Sequence, residues 1–342
     1  MFKHHEFWHP RIFEMPYYLY LGWQCLLKGV GIKTLAKANY CLDHGEIGLG
    51  SKYATQQAFD PSYFLPTTLI KGECSVVEKR AQIDAFAQMH DYPLILKSDV
   101  GCVGKGIRKI HSSEDVDKVM PLLIGDYILQ QFTPYNYECG IFFVRQQGVG
   151  CDAGRVTGIN RKHFPTVIGN GRDSIETLAH QHERFSHHWQ SFLQYIDVAR
   201  VSPKGEVVRL SFIGSHTLGC KFTDDSDLLT PELEAAILAF FAKQPGYNFG
   251  RVDVKAKDEA LLKRGEFVII EVNGVASLPT HMFDPKYSLF EAYRIFLSHA
   301  KSLVTIAQQN KAQTMNLLPY KEIVARVKHN QAMLNKAHEQ LK

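Results

Sequence analysis

Apolar positions in this chain switch between helical and strand spacing, and each switch marks an element. From Phe13 to Val30, Tyr, Leu and Trp recur on a broad face, predicting a helix packed on the domain body. A membrane-surface helix is the competing reading, disfavoured by the few basic residues of the segment. Residues 43–50 form a glycine-rich turn ahead of a short helix starting near Ser51. Val77 to His90 has the pattern of an amphipathic helix, which the Tyr-Pro step at 92–93 ends. Leu94 to Lys97 is then a short buried strand, Ser98 to Gly106 a loop, and Ile107 to Ile110 the return strand. Ser112, Ser113 and Glu114 mark the start of another helix, with strands at Tyr127 to Phe132 and Cys139 to Arg145.

Beyond Arg155 the pattern gives a strand, a turn at Gly169-Asn170-Gly171, and a long helix from about Ser174 to Tyr195. Val207 to Ile213 is strand-like, and Pro231 to Lys243 is a helix with proline in its first turn. Strands at Gly250 to Lys255 and Phe267 to Val272 follow. The tail from Lys321 to Lys342 is a charged amphipathic helix suited to a surface or a dimer contact. There is no repeat and no low-complexity segment. These elements predict an α+β architecture with mixed sheets in interlocked subdomains.

Composition narrows the function classes. A chain of 342 residues with 45% apolar and 22% charged content suits two or three packed subdomains. A net charge of +4 without a basic run gives no argument for nucleic acid. Seven cysteines, scattered singly with no CxxC pair, suit reduced thiols in a cytoplasmic protein. No signal-peptide pattern opens the chain, and its apolar stretches fall short of the roughly 20 residues that span a bilayer. A soluble protein without a membrane partner is expected.

Two groups of residues carry candidate chemistry. Lys97 ends a buried strand and precedes Ser-Asp-Val-Gly-Cys-Val-Gly-Lys-Gly, whose glycines at 101, 104 and 106 allow backbone N–H groups to close on phosphate oxygens. The loop is neither a Walker A motif nor a dinucleotide fingerprint. The second group is Arg251 and Asp253 on one strand with Glu271 and Asn273 on another. Residues two apart on a strand face the same side. Neighbouring strands would therefore bring two carboxylates, an amide and a guanidinium together, a set of hard oxygen ligands for Mg²⁺ beside a phosphate-neutralising arginine. Cys102 is a small filler, the histidines have no convincing metal spacing, and His281 is a candidate for facing an acceptor substrate.

In order and type these pieces resemble the ATP-grasp superfamily, specifically its carboxylate–amine ligases. Tyr-Pro-Leu-Ile-Leu-Lys97 resembles the strand bearing the family's phosphate-contacting lysine, and Gly101 to Gly106 its phosphate lid. Ser51-Lys52 resembles the segment with an earlier nucleotide-binding lysine. Gln131-Phe132-Thr133 resembles the hinge that meets adenine, and Glu138 the acid that holds the ribose. Gly250-Arg251-Val-Asp253 and Ile-Glu271-Val-Asn273 resemble the metal strands. Arg161-Lys162 with Phe164 to Gly171 is similar to a segment of cyanophycin synthetase-like members, placed with the Gly214-to-Phe222 loop near transferred phosphate or substrate.

The resemblance implies an ATP-grasp fold of two α+β subdomains gripping ATP, with a short segment, residues 1–50, in place of a full N-terminal domain. The ATP-grasp domain would span 51–310, its lid and nucleotide subdomain about 75–135, and the helical tail 311–342. It implies Arg251, Lys97 and Arg161 as catalytic, and Lys52, Lys97, Gly101, Gly104, Gly106, Gln131, Phe132, Thr133 and Glu138 as ATP-binding. Asp253, Glu271 and Asn273 would ligate Mg²⁺, or Mn²⁺ in its place. The implied reaction is ligation of a small-molecule carboxylate to an amine through an acyl phosphate, releasing ADP and phosphate. An ATP-grasp small-molecule kinase and a non-catalytic ATP-binding regulatory module are the alternatives. Ser98 and Gln131 depart from the family's usual proline and glutamate.

Overall fold

The computed structural model describes residues 5–47, 50–101, 104, 106–148, 153–187 and 196–339. Cys102 and Cys151 lie outside these residues. The first α-helix among the described residues is α1 (Pro10–Leu27), whose Phe13 and Tyr17 pack on Phe296 of the long helix α9 (Leu289–Gln309). α9, which the periodicity of the chain does not predict, starts with a capping box formed by Ser288 and Glu291, a strong helix signal. Between them in sequence lie the helices α2 (Lys52–Gln57) to α8 (Glu259–Lys263) and eleven strands among the described residues.

One subdomain is an antiparallel sheet in the order β1-β4-β2-β3, with β1 Thr67–Ile70, β2 Leu94–Ser98, β3 Arg108–Ile110 and β4 Tyr127–Gln131. Helices α3 (Val76–His90) and α4 (Ser113–Val119) belong to the same subdomain, whose core joins Ile70, Leu94, Leu96 and Leu129 to Ile83, Phe86 and Val116 of the helices. The second subdomain is built on the sheet β11-β10-β5-β6-β9, with β5 Tyr137–Val144, β6 Arg155–His163, β9 Lys221–Asp224, β10 Phe249–Ala256 and β11 Val268–Asn273. One face of this sheet, through Cys139, Ile141, Phe143, Val252 and Val254, packs on Ile237, Phe240 and Phe241 of α7 (Pro231–Ala242). The other face is divided. Phe142, Val144 and Phe249 lie under Leu303 and Val304 of α9, and the rest of that face carries charge.

Two α+β subdomains are therefore present as expected, but the sheets are antiparallel throughout rather than mixed. The long helix expected from Ser174 to Tyr195 is also corrected. α5 (Ile175–Gln181) stops at His182, whose extended backbone redirects the chain into α6 (Glu183–His187). The turn lets Phe185 join a small core with Val167, Ile175 and Leu210, and residues 188–195 lie outside the described set. The strand expected over Val207 to Ile213 is shorter, β8 Val207–Arg209, paired with β7 Thr166–Ile168. Past it the chain leaves the ladder to cover the cleft. No helix among the described residues is long and apolar enough to cross a membrane.

Candidate active site

The charged part of the second sheet faces a cavity of about 1020 Å³ between the subdomains. Its floor is set by register. Arg251 of β10 pairs with Asn273 of β11, and Asp253 with Glu271. Directly opposed residues in antiparallel strands project from the same face, so all four side chains line one side of the cavity. Arg251 grips Asp253 through two bonds, Nε to Oδ1 at 2.8 Å and Nη2 to Oδ2 at 3.2 Å. Gly140 on the neighbouring β5 makes this approach possible. A Cβ there would lie 2.4 Å from Asn160 Oδ1 and 2.8 Å from Arg251 Cδ.

Buried charges continue across the sheet. Lys162 Nζ of β6 lies 3.1 Å from Asp253 Oδ2 and donates to Glu138 Oε1 at 2.9 Å, and Lys255 Nζ reaches Glu138 Oε2 at 3.4 Å. Burial alone would raise the Asp253 carboxyl, but Arg251 and Lys162 hold it below the usual range. Burial likewise opposes Glu138, and Lys162 and Lys255 outweigh it. For Lys162 itself, burial would favour the neutral amine, yet Asp253 and Glu138 push its pKa up.

The first subdomain supplies the opposite wall. Lys97 near the end of β2 is buried and donates to the carbonyl of Ile270 at 3.1 Å and to Gln130 Oε1 at 3.3 Å. That carbonyl is available because the β10–β11 ladder skips Ile270, passing from the Asp253–Glu271 pair to Val254–Ile269. Burial lowers the Lys97 pKa, against the pull of Glu271. Lys52 opens α2, where its backbone N–H bonds Asp99 O at 3.1 Å and the Tyr53 N–H bonds Asp99 Oδ1 at 2.8 Å. The Lys52 ammonium lies 3.2 Å from Glu271 Oε1 and also donates to the carbonyl of Gly101.

Gln131, Phe132 and Thr133 follow from β4 into the cavity wall, with Lys109 Nζ 3.8 Å from the Phe132 ring centre. Gly101 and Gly104 line the mouth. Gly104 holds φ +74°, and a Cβ there would meet Ile213 Cγ2 at 2.3 Å, so Gly104 rests directly against Ile213. Gly106, at φ 77°, leads into β3. Gly214 in the covering segment lies so close that a Cβ would stand 2.2 Å from Glu138 Oε1.

Arg161, expected as a catalytic group, is not in this constellation. Alternation along β6 sends it to the opposite face from Lys162, where it lies 4.3 Å over the Tyr137 ring and 4.0 Å from Asp225. His281 is corrected as well. It is buried beneath β6 at Gly158, where a Cβ would meet its ring at 2.2 Å, and burial lowers its pKa to about 4. Several groups in or beside the site, Lys109, Gln130 and Lys255 among them, were not singled out from sequence. Asp99 binds the start of α2. Glu46 receives the Gly274 N–H at 2.5 Å and the Thr55 hydroxyl, and its pKa is raised by burial and by Glu271. Its only sequence signal was the glycine-rich turn at 43–50.

Asp253, Glu271 and the Asn273 amide oxygen fit a hard divalent cation by donor type. Among the described residues, no group of three or more His, Cys, Asp or Glu side chains is gathered for a metal. Two carboxylates suit an ion such as Mg²⁺, which keeps waters and takes phosphate oxygens from its ligand. The buried Asn273 Nδ2 has no hydrogen-bond partner, so the amide group is not committed through it to the protein.

No family model matches the sequence, and no curated protein matches it. Among solved structures, the chain is similar to a D-alanine–D-alanine ligase from Bacillus anthracis, at 13% identity and a TM-score of 0.45, over 80% of this chain and 71% of that one. It is similar to a bifunctional glutathione synthetase from Pasteurella multocida, at 14% identity and a TM-score of 0.38, over 71% of this chain but 35% of the synthetase. A third likeness, at 10% identity and a TM-score of 0.34, is to the ATP-grasp ligase PsnB solved with a minimal precursor, over 62% of this chain and 47% of that one. The chain thus resembles, over most of its length, solved ligases that include an ATP-grasp ligase.

Proposed function

We propose that the chain is an ATP-grasp ligase that activates a carboxylate as an acyl phosphate for capture by an amine, releasing ADP and phosphate. The observation that carries this reading is the convergence of Lys52, Lys97, Arg251, Asp253, Glu271 and Asn273, from four separate segments, on one cavity between two subdomains. Its volume lies at the upper end for a ligand site, with room for a nucleotide and a second ligand.

In this reading the protein contributes position and charge rather than covalent chemistry. Lys97 and Lys52 bind the nucleotide phosphates, and Gln131, Phe132 and Thr133 form the wall that meets the base. Arg251, fixed by its two bonds to Asp253, stands where charge develops on the transferring phosphoryl group. Asp253, Glu271 and Asn273 would hold Mg²⁺, which neutralises phosphate charge when bound. Lys52 is held by Glu271 and the Gly101 carbonyl, so a phosphate entering the site competes directly for its ammonium. Gly104 and Gly214 let two segments close over the cavity, which protects an acyl phosphate from water. The five cysteines among the described residues are all free, which suits a reducing, cytoplasmic setting.

The test is ADP release with Mg-ATP across a crossed panel of amino acids, small carboxylic acids and amines, with product masses read. A product equal in mass to the two substrates minus water is expected, and its loss in Asp253→Asn. A stable phosphorylated product would replace the ligase with a kinase. Mg-ATP binding without turnover across the panel would refute a ligase of small molecules. Full activity of Asp253→Asn would overturn the metal-site assignment.

A further inference from the structure

Helix α1 is apolar on two faces, and the fold covers only one. Its buried face, Phe13, Tyr17, Gln24 and Cys25, lies on the protein body. The residues between them, Ile12, Met15, Leu19, Trp23, Leu26 and Leu27, recur at helical spacing and are all more than half exposed, with Leu19 at 68% and Leu26 at 78%. Gly22 has no neighbour above it, and Ile32 just past the helix is exposed too. A helix apolar all round is ordinarily buried all round. Six large apolar side chains, each more than half exposed, make a stripe on the order of several hundred Å², beyond what scattered surface residues give a monomer.

Charge indicates what covers it. Residues 10–39 carry Arg11, Lys28, Lys33 and Lys37 against Glu14 alone, and residues 289–311 carry Arg294, Lys301 and Lys311 against Glu291 alone. This layer is thus more positive than the whole chain, whose net charge is +4, so the remainder is slightly acidic. Two copies meeting through such a layer would bring like charges together, whereas an anionic surface would be attracted. Trp23 and Tyr18 also sit on the exposed side, and α1 is not long and apolar enough to cross a bilayer.

We propose that α1 lies in the surface of an anionic lipid bilayer, its exposed stripe among the acyl chains and the surrounding lysines and arginines at the headgroups. The sequence alone could not favour this, because the basic residues of α9 are far away in the chain. Trp8, His9, Pro10 and Phe13 at the start of α1 line the cavity, so the docked helix sets that end of the site beside the membrane.

The test is co-sedimentation of the full chain with vesicles of phosphatidylcholine containing one-third phosphatidylglycerol, and with phosphatidylcholine alone, at low and high salt. Binding to the anionic vesicles is expected, weakened by salt. The double variant Leu19→Glu/Leu26→Glu should bind at least about tenfold more weakly, as should Lys28→Glu/Lys33→Glu. Both pairs lie away from the charged cleft, so unchanged unfolding curves would show that the fold is intact. Failure of the native chain to bind anionic vesicles would overturn the proposal, as would equal binding to both compositions. A dimer in sedimentation equilibrium that Leu19→Glu dissociates would also overturn it, by showing that a second copy covers the stripe.

Discussion

Replacing Lys162 with methionine keeps most of its side-chain volume and removes one charge from the middle of the buried network. Its side chain is only 4% exposed, as are those of Glu138 and Asp253, the two carboxylates it touches. Deleting one partner of a buried ion pair costs about 3–5 kcal/mol, because the remaining charge is stranded in low dielectric. Here each carboxylate keeps a second cation, Lys255 for Glu138 and Arg251 for Asp253, so a loss near 2–3 kcal/mol is expected at neutral pH. The sign of the pH dependence follows from the same contacts. In the native protein both carboxyls titrate below their usual values, so their stabilising effect is present above that range and lost as the pH falls through it. Without Lys162, burial raises them, and protonation then relieves the variant. The deficit between Lys162→Met and the native chain should therefore shrink as the pH falls from 7 towards 4.5.

Urea unfolding at several pH values measures this directly, with Arg161→Met as the control. That side chain is 36% exposed, its nearest carboxylate is 4.0 Å away, and its removal should cost below about 1 kcal/mol. A Lys162→Met deficit below 1 kcal/mol at pH 7, or one that stays constant with pH, would refute this account of the network.

Three other outcomes are expected. Asp253→Asn should lower turnover by about 10²–10³-fold once substrates are known, since it removes a preorganised charge; single-turnover ADP formation checks it. Gly214→Ala places a methyl group against Glu138 and Lys162, so the covering segment must move outward, and a rise in the KM for nucleotide is the readout. Burial lowers the pKa of His281 and of His299 to about 4, against an ordinary 6.5, so stability is full above pH 6.5 and declines as the pH falls towards 4. His281→Gln/His299→Gln should flatten that decline in acid unfolding series, and an unchanged slope would show that these rings do not cause it.

What the chain's pattern reveals depends on where each residue faces. β10 and β11 were legible because polar residues stand two apart within otherwise apolar strands, at Arg251 and Asp253 and at Glu271 and Asn273. The choice between Arg161 and Lys162 was not legible. Both are basic and adjacent, so alternation puts them on opposite faces, and only the pairing of Cys139 with Arg161 decides which face each takes. β5 is buried along its full length, so its alternation is hidden, and Glu138 stands out only as a charge inside an apolar run. β1 and β9 are four-residue strands whose partners, β4 and β6, lie far along the chain, too short for a period to show. α6 was merged with α5 because a one-residue interruption at His182 leaves helical spacing nearly intact.

The second sheet also explains why the site stands where it does. On β5, Glu138 and Gly140 share a face with Phe142 and Val144, and on β10 Asp253 and Arg251 share it with Phe249. The apolar end of that face is sealed by α9, which lets the sheet be buried without spending its charged end on packing. The charged end can then be roofed only by polar or movable groups, here the glycine loop and the Gly214 segment, or by a ligand with its own charge. Lys97 joins this end to the first subdomain through the carbonyl that the bulge at Ile270 turns out of the ladder. A lysine that holds the two subdomains together and also meets the ligand would couple closure to binding. Lys97→Met should therefore weaken nucleotide binding and loosen the cleft together, which hydrogen exchange at Val268–Asn273 with and without Mg-ATP would read. Loss of binding with unchanged exchange in the ligand-free protein would separate the two roles and remove the coupling.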